Sequence, residues 1–410
     1  MASPMPLSET DRLPRWRRPE ALLYLMAAAM PLSFATWSAL FNNFVIEVAS
    51  FTGKEIGWLH TVREIPGFLA IGVILVLLVM REQVLALLAL ALLGAASAVT
   101  GVFTSFSGLL VVTLLSSIGF HYFETVNQSL QLQWIDKARA PIVLGRIVAV
   151  GAGASLAAYG AIVALWDALG LDYNTVYMAS GGLTLLIVLF AAIAYPQFEN
   201  PHPQHKHMVL RRRYWLYYAL QFMAGARRQI FVVFAGFMMV ERFGMKVSEM
   251  TLLLLCNYLI NMMVAPMMGR ALGRYGERNV MGFEYIGLTL VFLAYGGLYW
   301  FGWGIVIAGA LYILDQLFFA LSFSLKTYFQ KIADPRDIAP TAAVAFTINH
   351  IAAVFLPAAL GYLWATSPDH VFLLGAGMAL FAFGLICLIP RHPEPGLETV
   401  FSRGVPQPAE

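Results

Sequence analysis

Long apolar runs, separated by short polar or glycine- and proline-containing stretches, repeat along most of the chain. Several exceed the roughly 18 residues that a helix needs to cross about 30 Å of hydrocarbon. Because backbone polar groups in lipid must be satisfied within the segment, helices are expected for these runs. The segments of about ten alternating residues that build a β-barrel do not occur. The pattern therefore predicts an all-α polytopic membrane protein.

Twelve helices are predicted, in two groups of six. They cover residues 22–45, 56–80, 83–104, 107–133, 142–166 and 174–196, and then 214–240, 248–270, 279–300, 303–330, 341–365 and 370–390. The long polar connection 197–213 contains prolines and a basic run, which indicates a linker. We therefore expect a tail (1–21), a six-helix bundle (22–196), a linker (197–213), a second bundle (214–390) and a second tail (391–410).

Lysine and arginine residues lie mostly on one side of this topology. The tails and the even-numbered connections contain 18 of them, whereas the odd-numbered connections contain only three, Lys54, Arg242 and Lys246. Basic residues favour the cytoplasmic side of a membrane. Both termini are therefore predicted to be cytoplasmic, in a multi-pass protein of the plasma (cytoplasmic) membrane, and an even number of spans satisfies this.

The composition excludes a water-soluble enzyme, because 60% of the residues are apolar and only 12% are charged, against about 25% charged in soluble domains. A net charge of +3 is too small to indicate a nucleic-acid partner. The sequence contains neither a Ser/His/Asp set nor a phosphate-binding loop. We therefore expect no catalytic residues and no cofactor. Cys256 and Cys387 lie in apolar segments and are expected to be buried, unpaired thiols.

The linker contains three histidines, His202, His205 and His207. Imidazoles are good metal ligands, but no cysteine or acidic residue stands beside them at ligand spacing. A solvated basic linker accounts for this composition better, and no metal site is predicted.

The two halves of the chain resemble each other. Phe51 and Lys54 correspond to Phe243 and Lys246 at an offset of 192, and Trp166 corresponds to Trp364 at an offset of 198. The segment LQLQWIDKARAP (130–141) also resembles KTYFQKIADPRDIAP (326–340). Repeats of this kind are typical of transporters, so we expect two homologous six-helix halves.

The fourth predicted helix has a polar face. Its members are spaced four, three, four and three residues apart: Ser117, His121, Glu124, Gln128 and Gln131. The offset of 198 leads to Asp315, Phe319, Ser322 and Lys326 on the tenth helix. Charge at the bilayer centre costs at least about 2.5–3.5 kcal/mol, so the charged members are expected to face an aqueous cavity. For the serines, hydrogen bonds between helices are the better interpretation.

Twelve helices in two halves, cytoplasmic termini and a basic linker resemble the major facilitator superfamily. The loop GRALGRYGER resembles the family's G-x-x-x-D-R-x-G-R-R/K motif at Gly269, Arg274, Gly276 and Arg278. The resemblance covers residues 22 to 390 and implies secondary transport by alternating access, with this loop as a cytoplasmic gate. Gly273 replaces the family's aspartate, Glu277 replaces an arginine, and the corresponding loop of the first half is reduced to MREQ. The motif therefore predicts a one-sided gate.

Two further departures concern drug export. The family's drug–proton antiporters carry a glycine- and proline-rich motif in helix 5. Here the fifth predicted helix contains no proline after Pro141, which lies at its start. The arginine that the family frequently carries in helix 4 is also missing. Both absences weaken a multidrug exporter interpretation.

Five basic residues lie inside predicted spans, against three clearly intramembrane acids. Planar guanidinium groups suit carboxylates and phosphates, so this surplus favours an anionic substrate. Predicted substrate contacts are Arg227, Arg228, Lys326, Gln128 and Asn349. The other buried charges expected are Arg63 and Arg146, although Arg146 could reach the cytoplasmic interface and Arg63 the opposite surface.

Coupling requires a group that changes protonation during the cycle. Buried carboxyls and imidazoles can do so near neutral pH, and the candidates are Glu124, Asp315, Glu64, His121 and His350. For His350, a histidine packed between helices is the slightly better interpretation. Asn349 and His350 align with Gly151 and Ala152 of the first half, which breaks the internal symmetry.

These features predict a proton-coupled transporter (a symporter) of a small organic anion. It is expected to be monomeric in the lipid bilayer, with a small-molecule substrate and protons as partners. One alternative is an exporter of hydrophobic or cationic compounds, favoured by 13% aromatic residues and 18 methionines. Another is a non-transporting scaffold or sensor, which would have no need for buried charges.

Overall fold

The computed structural model describes residues 4–69, 72–135, 139–199, 210–334 and 337–402. Its regular structure in these ranges is helical apart from two isolated bridges. Within these ranges, ten helical segments are long and apolar enough to cross a membrane. The expected all-α polytopic fold is confirmed. The linker histidines lie outside the described residues.

The described residues of the first half of the chain form seven α-helices. They are α1 (Pro19–Glu47), α2 (Gly53–Phe68), α3 (Gly72–Leu77), α4 (Glu82–Val99), α5 (Phe106–Trp134), α6 (Ala140–Leu169) and α7 (Tyr173–Ala194). The second predicted segment, 56–80, corresponds to α2 and α3. The other five predicted segments each correspond to one helix, with ends that differ by a few residues.

The second half contains α8 (Trp215–Gln229), α9 (Gly236–Glu241), α10 (Val247–Trp300), α11 (Ile305–Phe319), α12 (Phe323–Ile332), α13 (Ile338–Trp364) and α14 (Pro368–Ile386). A π-helical segment, Ile230–Ala235, connects α8 to α9. These three pieces together make the predicted helix 214–240. A single 3₁₀ turn, Ala320–Ser322, connects α11 to α12.

Gly276 divides α10 into two parts. The 54 residues of α10 include this one position with non-helical backbone angles, φ 77° and ψ 166°. A continuous helix of that length would measure about 80 Å, far more than a bilayer core. Glycine adopts positive φ without the steric cost that a Cβ adds. The predicted helices 248–270 and 279–300 therefore meet at this residue.

The number of twelve spans stays a prediction. Ten segments meet the criterion of length and apolarity. The difference from twelve has two causes. The α10 helix is counted once although it contains two predicted spans, 248–270 and 279–300. The α2 helix is not counted, because it has 16 residues, including Lys54, Glu55, Arg63 and Glu64.

The chain forms two compact units. Unit 1 comprises Met1–Ser50, Val62–His205 and Met245–Leu255, and unit 2 comprises Phe51–Thr61, Lys206–Gly244 and Cys256–Glu410. In unit 1, α1, α4, α5, α6 and α7 pack around apolar residues such as Leu90 and Phe123. In unit 2, α8, α13 and α14 enclose a core rich in tyrosine and phenylalanine.

Both cysteines were predicted to be buried, and this prediction is wrong. Cys256 is half-buried and Cys387 is exposed, and both thiols are free. Both lie in apolar runs at membrane-spanning helices, where part of each run faces outward. The apolar sequence context indicated membrane depth but not burial within protein.

Asp337, just before α13, binds the basic end of the linker. Its carboxylate accepts hydrogen bonds from Arg211 and Arg213 at 3.1–3.3 Å and from the Tyr214 hydroxyl at 3.1 Å. Burial alone would raise the pKa of Asp337, but these donors outweigh it and hold the pKa below its ordinary value. The contact anchors the start of the second half to α13.

Because the pKa of Asp337 is lower in the folded chain, its stabilising effect is present above about pH 4 and is lost as the pH falls through the folded value. Asp337→Asn is expected to lower the free energy of unfolding at pH 7 by about 1 kcal/mol, since both arginines are largely exposed and screened. Thermal denaturation of the purified protein across pH 3–7 measures this. A variant with unchanged pH dependence would contradict it.

Candidate functional site

Arg227 lies in the last turn of α8, directly before the π-helical segment Ile230–Ala235. Apolar and aromatic residues make up most of this stretch, so the arginine enters the interior of unit 2, where its side chain is only 1% exposed. A π-helical turn widens the helix and is common at functional sites. Here it begins one residue after Gln229, which is also buried.

Two carboxyl groups share the interior with Arg227. Nη1 of Arg227 lies 3.9 Å from Oδ1 of Asp315 on α11, and the Asp315 side chain is fully buried. Glu284 on α10 is 1% exposed and interacts electrostatically with both residues. The rings of Tyr285 and Phe319 lie 5.8 and 5.4 Å from the guanidinium carbon. We call Arg227, Asp315 and Glu284 the charged cluster.

Within the described part of the chain, the hydrogen-bonding capacity of this cluster is largely unused. Both carboxylate oxygens of Asp315 and Oε1 of Glu284 are buried without a hydrogen-bond partner there, and the Arg227 guanidinium interacts with the side chain of Tyr285. Leaving a buried charged group without hydrogen bonds costs more than about 1–3 kcal/mol. A structural ion pair is normally completed by such bonds, so this arrangement is typical of a working site.

The cluster contains one permanent positive charge and two groups that can become negative. A guanidinium stays protonated, and it can balance only one carboxylate at a time. An uncompensated buried charge costs several kcal/mol. A proton shared between Asp315 and Glu284 removes that cost, and the cluster can therefore accept or release a proton with a modest change in electrostatic energy.

Sequence reasoning identified Arg227 and Asp315 but did not identify Glu284 as a candidate. The available signal was an acid within the apolar segment 279–300. Helix α10 continues on the amino-terminal side of this segment as far as Gly276 and beyond, so Glu284 is farther from a helix end than the predicted boundary suggested.

A second group of polar residues lies in unit 1. Nη2 of Arg63 lies 3.1 Å from Oε1 of Glu64, and the Arg63 guanidinium carbon lies 5.2 Å from the centre of the Trp37 ring. An imidazole nitrogen of His121 is within 4.8 Å of a Glu64 carboxylate oxygen. Nδ1 of His121 is 3.0 Å from the Ser117 hydroxyl, which donates to the backbone carbonyl of Arg63. The structure thus brings Glu64 and His121, two of the predicted proton carriers, close together.

The remaining candidates have local contacts or face outward. Gln128 is exposed and donates to Glu124 at 3.2 Å. His350 is buried, with Nδ1 at 2.8 Å from the Phe346 carbonyl, and the Asn349 amide donates to the Gln221 carbonyl of α8 at 3.2 Å.

The basic candidates outside the cluster differ in exposure. Lys326 is exposed on α12, and Arg228 is half-buried. Arg146, expected to be a buried charge, is exposed on α6.

The predicted gate loop lies around Gly276. Gly269 and Arg274 are exposed, and the Arg274 guanidinium lies 5.4 Å from the Tyr275 ring. Arg278 is half-buried. Glu277, which departs from the family pattern, is buried and forms a 2.9 Å ion pair with Lys331 of α12. The loop is thus held to the neighbouring helix by a residue that the motif did not identify.

Comparison with known proteins agrees with this architecture. The profile of the Major Facilitator Superfamily matches residues 21–357, and the chain therefore belongs to this family of membrane transporters. The search of curated proteins gave no match.

Solved transporter structures have the same fold. A mutant of the nucleoside transporter NupG is 14% identical, with a TM-score of 0.72 over 90% of this chain and 99% of that one. A bacterial homologue of the human lysosomal transporter Spinster, in an inward-facing and occupied conformation, is 12% identical, with a TM-score of 0.71 over 90% and 95% of the two chains. At these identities the similarity establishes the fold only.

Proposed function

We propose that this chain is a proton-coupled secondary transporter of a small organic solute, and that the charged cluster carries the proton. The supporting observation is a guanidinium with two carboxyl groups, all buried in unit 2, whose polar atoms are largely without hydrogen-bond partners among the described residues. Alternating access exposes such a group to each side in turn. Arg227 already has carboxylate neighbours, so we assign it to proton coupling in preference to substrate binding.

For the solute, we propose an organic anion. Arg228 and Lys326 remain the proposed contacts on the second half, with Gln128 and Asn349 as polar contacts. Glu64, His121, Glu124 and His350 remain proposed secondary proton carriers. We also propose that both termini are cytoplasmic, because the basic residues lie predominantly on that side.

An exporter of cationic compounds is the second candidate, and the charge balance favours it. Arg146 and Lys326, although they lie in apolar helices, are exposed, whereas Glu284 is buried. Among the intramembrane charges considered, the buried or half-buried ones are Arg63, Arg227 and Arg228, against Glu64, Glu124, Glu284 and Asp315. An excess of carboxyl groups over arginines favours the binding of positively charged amines.

Asp315→Asn is expected to abolish solute-driven proton movement and to leave the protein folded, because an amide keeps the shape of the side chain but cannot take up a proton. The measurement uses proteoliposomes that contain a pH-sensitive dye. Organic acids and amines are added singly, and protein-free vesicles provide the background. Proton movement should fall by at least about tenfold, as for loss of a group that transfers a proton.

The matched control is Asp369→Asn, at the start of α14, where the carboxylate accepts a hydrogen bond from the Trp300 indole. This variant should retain proton movement. A folded Asp315→Asn protein that moves protons as the wild type does would contradict the proposal. Proton movement caused by organic acids would support the anion transporter, and proton movement caused by amines would support the exporter of cations.

A further inference from the structure

The segment 4–18, which precedes α1, has a defined structure on the surface of unit 1. Met5 forms a parallel bridge with Phe198. Two 3₁₀ turns follow along the segment, Leu7–Arg12 and Arg15–Arg17, and leucine side chains of the segment pack against the apolar core of unit 1. We call this segment the arm. The proposed transport function does not use it.

The arm is fastened to the last turn of α7. Nε of Arg17 donates to the Ala194 carbonyl at 2.7 Å, which satisfies one of the carbonyls that a helix end leaves free. The Trp16 ring is stacked on Phe190 with centroids 6.4 Å apart, and it meets the Tyr195 ring edge-on at 6.3 Å. The position of Trp16 is therefore set by the end of α7.

The end of α7 lies at the boundary of the membrane. This helix is a candidate span of 22 residues, Tyr173–Ala194. At 1.5 Å per residue it measures about 33 Å, which just covers the hydrocarbon core. The exposed members of its outward face are apolar, namely Leu186, Leu189, Phe190 and Ile193. Trp16 stacks at the end of this face, where hydrocarbon meets the lipid headgroups.

Trp16 has the properties of a tryptophan at a membrane surface. It is 54% exposed, and it extends the apolar outward face of α7. Indole is apolar over its rings and carries one N–H donor, so tryptophan is enriched at the level of the headgroups. An exposed tryptophan held against a spanning helix in this position is placed to enter the bilayer surface.

The arm also carries a surplus of positive charge. Its charged residues are Glu9, Asp11, Arg12, Arg15, Arg17 and Arg18. Arg18 is paired with Asp11 at 3.0 Å. Arg12 and Arg15 are exposed and make no hydrogen bond or ion pair within the described part of the chain. Guanidinium groups bind phosphate oxygens through paired N–H groups, and basic residues near a membrane surface attract anionic lipids.

We infer that the arm is a binding site for an acidic phospholipid, with the Trp16 ring among the acyl chains and the phosphate against Arg12 and Arg15. A lipid of the bilayer is the occupant because the apolar side of the site continues the outward face of α7, while its polar side is positively charged. The inference goes beyond the proposed function, since the arm belongs to unit 1 and the charged cluster belongs to unit 2.

Brominated lipids test this site, because bromine on an acyl chain quenches a tryptophan beside it. The purified full-length protein is placed in vesicles of equal parts phosphatidylglycerol and phosphatidylcholine, with bromine on one lipid or the other. The chain has nine tryptophans, so the emission of Trp16 is obtained as the difference between the wild type and Trp16→Phe. Phosphatidylglycerol should occupy the site beside Trp16 with an affinity at least about fivefold that of phosphatidylcholine.

A double variant tests the arginines. Arg12→Gln combined with Arg15→Gln should abolish the preference, so that both brominated lipids quench Trp16 equally. The matched control is Arg212→Gln combined with Arg391→Gln, which changes two exposed arginines of unit 2 and should retain the preference. Trp16→Phe isolates the emission of Trp16 in each background. Circular dichroism and size-exclusion chromatography confirm that each variant is folded.

Absence of quenching by either lipid would mean that Trp16 faces water or another protein, and it would overturn the inference. Equal quenching by both lipids in the wild type, or a preference retained after both arm arginines are replaced, would overturn it as well. None of these results bears on proton movement in Asp315→Asn, which tests the proposed function separately.

Discussion

Arg227→Met is expected to lower the free energy of unfolding by about 3–5 kcal/mol, the usual cost of removing one partner from a buried ion pair. The methionine fills a similar space, so the loss comes from charge and not from a cavity. Asp315 and Glu284 would be left in the interior of unit 2 with no positive charge beside them. Chemical denaturation in detergent, followed by circular dichroism, measures the change.

Adding Asp315→Asn to Arg227→Met should restore most of the lost stability, because the second substitution removes the uncompensated carboxylate. Arg391→Met, at an exposed position in the same unit, serves as the control and should change stability little. A double variant as unstable as Arg227→Met alone would contradict the assignment of these residues to one electrostatic unit.

Gly225→Ala is expected to destabilise the protein by about 1–3 kcal/mol, because it forces an extra carbon into a packed interface. A Cβ at this position would clash with the backbone carbonyl oxygen of Asn349 on α13. Backbone cannot move aside as a flexible side chain can, so α8 and α13 must separate. Arg227 is two residues away, and the separation should also reduce proton movement.

The matched substitution is Gly377→Ala on α14, where a Cβ would meet no atom within 4 Å. Alanine has a higher helix propensity than glycine by about 1 kcal/mol, so this variant should be as stable as the wild type or slightly more stable. Both melting temperatures can be measured in one detergent. Equal melting temperatures for the two variants would exclude the close contact between α8 and α13.

Arg227 and Asp315 show what a local sequence pattern reveals and what it does not. Charge in an apolar run is expensive in lipid, so each residue could be recognised from its local sequence. Their pairing could not be recognised, since they are separated by 88 positions and belong to different helices. The same limitation concealed the role of Glu284, whose distance from a helix end depends on where α10 begins and bends.

The local sequence pattern also did not show which charged side chains are exposed. Lys326 and Arg146 lie in apolar segments, as Arg227 does, yet both are exposed and Arg227 is buried. A helix in a membrane is apolar on nearly every side, so periodicity does not show which face meets protein. For this reason, the prediction that Cys256 and Cys387 are buried was wrong.

The sequence by itself determined the all-α polytopic class, the family and the approximate position of the helices. The class and the helix positions follow from the local requirement that an apolar segment satisfy its own backbone in lipid, whereas the family was indicated by the resemblance of residues 269–278 and of the two-half architecture. Only the tertiary structure decided which charges are neighbours, that a carboxyl of Glu284 joins Arg227 and Asp315, and that Arg63 lies beside the ring of Trp37. Those features depend on contacts between helices far apart in the chain, and no local pattern of polarity specifies them.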